Sequence, residues 1–232
     1  MTNVKTVKQS RADRARETRR RMIGSASELF IAQGYAATTM EQIAAGAGVA
    51  VQTMYYTFRT KGQLLTEVVE VTAAGDDDPI PVARRAWAVE MLQASLPQRV
   101  IALAVEHGTA IYERVAVLWP AVGAAAAVDP DIDSYWRGVT AKRRSGQRGM
   151  VARVAELGGL RPGLDVERAT DLVVVLAGHD VYRGLVQEAR WTVPAYKAWL
   201  FTTLTQQLLD AHTVDPRAVD GLSFAELVSP TR

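Results

Sequence analysis

Residues 38–61, TTMEQIAAGAGVAVQTMYYTFRTK, decide how the rest of the chain is read. Met40–Ala47 has the composition of a short helix. Two threonines stand ready to cap it. Thr38 pairs with Glu41, and Thr39 with Gln42, in the Thr-x-x-Glu/Gln spacing of a capping box, and the sequence leaves both open. Ile43 and Ala44 are its inward positions. Gly48 falls where the chain must turn sharply, a place for a residue that tolerates positive φ. Val51–Phe58 reads as a second helix. Its Met54 and Phe58 are four apart and share a face, so they pack on the first helix. Gln52, Thr53, Tyr55, Tyr56 and Thr57 fall off that face. Their amide, hydroxyl and phenol groups suit base edges and phosphates, and the second helix of such a helix-turn-helix enters the major groove. Thr60 caps a third helix, with Gln63 three residues on. Lys61 then sits at its N-terminus, where backbone N–H groups and a cation together hold a phosphate.

Working outward, Ser10 and Asp13 form a start signal for a long helix. Met22/Ile23, Ala26 and Leu29/Phe30 recur on one of its faces, and Gly34 ends it. Arg11, Arg14, Arg16, Arg19, Arg20 and Arg21 crowd its first turns, where they reach phosphates or deliver an arm to the minor groove. Residues 1–9 read as a polar arm. The net charge of +2 hides an asymmetry: residues 1–65 hold ten Lys/Arg against four Asp/Glu, and residues 66–232 hold seventeen against twenty-one. A basic head on an acidic remainder points to a polyanion at one end.

Gly75-Asp76-Asp77-Asp78-Pro79 cannot continue a helix cheaply and marks a break. Beyond it there is no period-two alternation. Helices are expected over 82–94, 97–118 with Pro97 in the first turn, the Ala-rich 121–128, and from Asp131 or Asp133 to 157. Asp165 caps one running to about 189, bent at Gly178 or Gly184. Thr192 caps the last long one. The fold class is therefore all-α, about nine helices, with a helix-turn-helix domain over 1–65 and a larger helical domain over 66–232.

No cysteine is present, which removes disulfides, thiolate metal sites and a Cys nucleophile. The N-terminus has no apolar core of a signal peptide, and runs such as 172–178 and 121–128 are far shorter than the ~20 residues of a membrane helix. A soluble, cytoplasmic protein without membrane contact is expected. His107, His179 and His212 lack metal-ligand spacing, and neither a phosphate loop nor a nucleophile elbow occurs. No catalytic residue, metal or cofactor is expected. A small-molecule pocket needs apolar walls and a few polar anchors. Tyr112, Trp119, Tyr135 and Trp136 are candidate walls, and His107 and Arg143, each on an apolar stripe, are candidate anchors.

The helix-turn-helix resembles that of the TetR family of bacterial transcription regulators. The resemblance rests on Ala26, Leu29-Phe30, Gly34, Thr39, Ile43-Ala44, Ala47-Gly48-Val49, Thr53-Met54-Tyr55, Phe58 and Lys61-Gly62-Gln63-Leu64. Ala50 and Gln52 depart from the family pattern, which usually has Ser or Thr and Gly or Pro there. The resemblance implies a homodimer on a pseudo-palindromic double-stranded operator. Gln52, Thr53, Tyr55 and Tyr56 would touch DNA, with Thr39, Thr57 and Lys61 holding phosphates. It also implies packing of two subunits through the last two long helices, about 165–190 and 192–209. These are rich in large apolar groups such as Leu172, Val175, Tyr182, Trp199, Leu200 and Leu204. A small-molecule effector would release the repressor. Two other readings stand beside this one: a ligand-independent DNA binder, and a helical binding module or enzyme with an incidental helix-turn-helix.

Overall fold

The computed structural model describes residues 10–76, 80, 84–210 and 224–228. The polar arm at 1–9, Asp77-Asp78-Pro79, the start of the helix expected from 82, and His212 lie outside them. The described chain is helical throughout. Its one piece of β geometry is an antiparallel bridge between Leu160 and Leu209. It divides into two compact units. One holds the residues up to 76 together with Val117–Trp136; the other holds 80 to 116 and the residues from Arg137 onward.

In the first unit, α1 (Arg11–Ala37) begins at a reciprocal capping box. Ser10 Oγ accepts from Asp13 N at 3.1 Å, and Ser10 N donates to the Asp13 carboxylate. Its regular course breaks at Gly34, whose φ of 79° is outside the helical range. Met22, Ile23, Ala26 and Phe30 form the buried face. α2 (Met40–Ala47) is capped by Thr39 with Gln42, which settles the choice between the two threonines. Thr38 is fully buried instead, its hydroxyl donating to Gly34 O at 2.7 Å. α2 ends at Gly48 in the left-handed region, φ 65° and ψ 43°. There Val49 N–H donates to Ala44 O and swings the chain into α3 (Val51–Phe58). α4 (Lys61–Ala74) starts at the Thr60 cap and buries Leu64, Leu65, Val68 and Val69.

Sequence-distant residues complete this core. α7 (Trp119–Ala126) packs on α1, and Leu118, Ala121, Val122, Ala125 and Ile132 join the apolar cluster of Phe30, Ile43, Met54 and Phe58. The Tyr35 hydroxyl donates to the Asp129 carboxylate at 2.9 Å.

The second unit is built on α6 (Pro97–Val115), which packs with α5 (Ala86–Gln93), α11 (Val193–Leu208) and α12 (Phe224–Val228). α6 ends at Val115 rather than 118, because Ala116–Leu118 tighten into a 3₁₀ turn before Pro120 enters the first turn of α7. α8 (Pro130–Glu156) contributes Met150, Val151 and Val154 to the interior. The helix expected from 165 to about 189 is in pieces. α9 (Val166–Leu176) stops before Gly178, α10 (His179–Tyr182) restarts, and Arg183–Glu188 continue as a π-turn.

Candidate nucleic-acid interface

α3 is a short helix with one face committed to the core and the other left bare. Met54 and Phe58 are 0% and 4% exposed. Gln52 and Thr53 are exposed, Tyr55 is 46% exposed and Tyr56 is 90% exposed. A phenol at 90% exposure makes almost no contact within its own fold, so the fold does not account for its size. Thr57 is half-buried, and its hydroxyl donates to Thr53 O at 2.8 Å. Ala50 stands at the N-cap of α3 and supplies no side-chain acceptor, leaving the first-turn N–H groups without that partner. Thr39 is exposed beside its cap bond to Gln42.

Lys61 lies at the N-terminus of α4, but its ammonium turns inward. Nζ donates to Tyr35 O and Thr38 O at 2.8 Å each and lies 4.3 Å over the Tyr35 ring. Burial lowers the pKa of the amine, and the charge of Asp129 opposes that shift. Three of the arginines on α1 are also engaged, Arg20 with Glu17 at 3.9 Å. Arg19 pairs with Glu67 at 2.6 Å and lies 4.9 Å over Phe58, and Arg21 donates to Ala47 O at 3.0 Å. Arg11, Arg14, Arg16 and Arg20 are exposed.

Arg59 was not among the expected contacts. It is exposed at the C-terminus of α3 with φ of 51°, and Thr60 N–H closes onto Phe58 O across it. The signal available in the sequence was a cation directly following the recognition helix.

The candidates for a small-molecule pocket fall into separate groups. Trp119 and Trp136 stack edge-on at 4.4 Å in the first unit. In the second, His107 stacks on Trp87 at 4.7 Å and 13°. Burial pushes the His107 pKa down, against Glu106 and Glu90. Tyr112 and Arg143 meet: Arg143 Nη1 donates to the Tyr112 hydroxyl at 3.0 Å, and that hydroxyl donates to Ala177 O at 2.9 Å. Burial raises the Tyr112 pKa, and the nearby guanidinium opposes the rise. Tyr182 and Tyr196 extend this pair through ring contacts of 5.6 and 5.2 Å. Their signal was the one that marked His107, a polar tip on an apolar stripe, here Tyr196, Leu200, Leu204 and Leu208. Among the described residues no group of three or more His, Asp or Glu is placed to hold a metal ion. No described helix is long and apolar enough to cross a membrane.

The fold and the bare face of α3 define a helix-turn-helix protein with a larger helical partner domain. Residues 23–68 match the model for bacterial regulatory proteins of the tetR family. Over 58 residues the chain is 43% identical to two HTH-type transcriptional regulators of Pseudomonas putida, SrpR and TtgW, the latter itself uncharacterized. That stretch is 25% of the present chain, 43% of TtgW and 27% of SrpR, so the chain spans less than half of either curated relative. Two solved structures match over most of their length. The transcriptional regulator FadR of Bacillus subtilis in complex with stearoyl-CoA has a TM-score of 0.64 at 16% identity, covering 81% of this chain and 98% of that one. The complex of triclosan with SmeT, the repressor of a Stenotrophomonas maltophilia multidrug efflux pump, has 0.65 at 16%, covering 93% and 99%. Residues 23–68 thus match the DNA-binding head of the tetR family, and the chain as a whole shares the all-helical fold of these two solved regulators.

Proposed function

We propose that this chain is a homodimeric, sequence-specific DNA-binding regulator, a repressor that a small-molecule effector releases from its operator. The exposed face of α3 carries the reading. Gln52, Thr53, Tyr55 and Tyr56 stand clear of a core that fixes the helix through Met54 and Phe58, and they are the base-reading set. Thr39, Thr57 and the uncapped first turn of α3 hold phosphates, with the exposed arginines of α1 adding unspecific affinity. Lys61 braces the head from inside.

Two copies are needed because one eight-residue helix reads too few base pairs. A pair held ~34–36 Å apart reads a pseudo-palindrome. The second copy joins through 165–190 and 192–209, where Val175 is 65% exposed, with Trp191 between the two segments 38% exposed. The effector acts only as far as its affinities for the two states of the dimer differ.

The test is selection of bound sequences from random duplexes at two salt concentrations. Enrichment of an inverted repeat, with affinity falling steeply as salt rises, is the expected result. Enrichment of nothing at either salt overturns the sequence-reading role and favours a ligand-binding module instead.

A further inference from the structure

The second unit contains a half-buried cation that makes no ion pair among the described residues. Arg143 is half-buried, and its hydrogen bond goes to a neutral phenol, the Tyr112 hydroxyl. Its neighbours on the same helix are served: Arg144 pairs with Asp171 and Glu167, and Arg148 with Glu167. Arg143 makes no ion pair among the described residues, and its Nε–H is buried without an acceptor. Burying a guanidinium beside neutral groups is unfavourable unless an anion completes the site.

Other buried polar groups nearby are also unpartnered. Tyr196 is 0% exposed, and its hydroxyl has no hydrogen-bond partner. It reaches the Arg143–Tyr112 pair through the Tyr182 ring, 5.2 Å on one side and 5.6 Å on the other. Gln147 Oε1, one turn along α8 from Arg143, and Thr109 Oγ1, three residues before Tyr112 on α6, are buried and unpartnered. Buried polar atoms are nearly always satisfied, so several unpartnered ones around one ring cluster point to a polar ligand.

Backbone irregularity gathers at the same place. The break between α9 and α10 frees Ala177 O for Tyr112, and the π-turn Arg183–Glu188 follows Tyr182 directly. Such single π-turns are rare and are frequently found at functional sites.

We infer that this nest binds the carboxylate of a small aromatic acid. Arg143 Nε–H and the Tyr196 hydroxyl donate to the carboxylate oxygens, and the Tyr112 and Tyr182 rings hold the aromatic part. The inference rests on the effector reading given above and assigns the chemistry of that effector.

The test is thermal unfolding of the full chain, without DNA, in benzoate or 2-naphthoate and in the matching neutral amides, benzamide and 2-naphthamide. Binding to the folded state raises Tm in proportion to RT ln(1 + [L]/Kd). The expected result is a rise with an acid that its amide does not produce. Arg143→Gln abolishes that preference, and Arg144→Gln keeps it. Tyr196→Phe, which removes one oxygen without disturbing the packing, weakens the acid about tenfold. Equal shifts from acid and amide, no shift from either acid, or a full acid response in Arg143→Gln overturns the inference. The readout involves no operator, so it stands even if the DNA-reading role fails. An acid that binds here without changing operator affinity would sink the effector reading alone.

Discussion

Lys61 and Tyr56 stand close together in the sequence and do opposite work. Lys61 places its ammonium on two carbonyls at 2.8 Å, tying the end of α1 to the start of α4. Lys61→Met leaves both carbonyls without that donor and lowers unfolding free energy by about 2 kcal/mol, read from urea melts. Tyr56 touches little of its own fold. Tyr56→Ala therefore leaves stability within about 0.5 kcal/mol of the parent, while operator affinity falls roughly 10- to 100-fold in a titration at fixed salt. The outward set on α3 was legible in sequence because two apolar residues four apart fix which way an eight-residue helix faces. The inward turn of Lys61 was not, because its acceptors are backbone atoms of Tyr35 and Thr38, and no side-chain pattern announces a free carbonyl. Arg143 was legible as a cation on an apolar stripe, but its bond to Tyr112 joins residues 31 apart on different helices.

At the scale of elements, the helix starts were readable because a cap is a local bond. Ser10, Thr39, Thr60, Asp165 and Thr192 each accept from the N–H three residues on. The interruption after α9 was foreseen only as a bend, since the choice between a bend and a restart is made by neighbouring helices. Packing between α1 and α2 depends on a close approach that composition hides. A Cβ on Gly46 would crowd against Ser25 Oγ, which itself donates to Ile43 O at 3.0 Å. Gly46→Ala accordingly destabilises the head by about 1–3 kcal/mol. Combining it with Ser25→Ala recovers part of that loss. The non-additivity in a double-mutant cycle distinguishes a steric clash from a change in helix propensity, which Ala would improve.

For the molecule as a whole, acid should be destabilising in a defined window. His107 and His179 both have pKa values lowered, first by burial. The unfolded chain, with histidines near about 6.5, then takes up protons before the folded one does. Their contribution is complete above about pH 7 and is lost as pH falls through about 6.5 toward the folded values. Melting temperature falls between about pH 7.5 and 5.5, and His107→Gln flattens the profile; an unchanged slope in that variant would remove His107 from the account. Association is tested at the same scale. Val175→Asp places a charge on the most exposed apolar side chain of α9 and shifts sedimentation toward the monomer, with loss of inverted-repeat binding and no loss of helicity by circular dichroism.

The reading head is not one continuous length of chain. α7 and Asp129 enter some fifty residues after α4 has ended, yet Phe30 shares a core with Ala121 and Val122, and Tyr35 is anchored to Asp129. Recombination that exchanged only the first 76 residues would carry α1 away from the helix it packs on and give it a stranger's surface in return. New operator specificity is therefore acquired most safely by changes on the bare face of α3. Any larger graft has to bring residues 117–136 with it, as the second half of a cassette that the gene stores in two places.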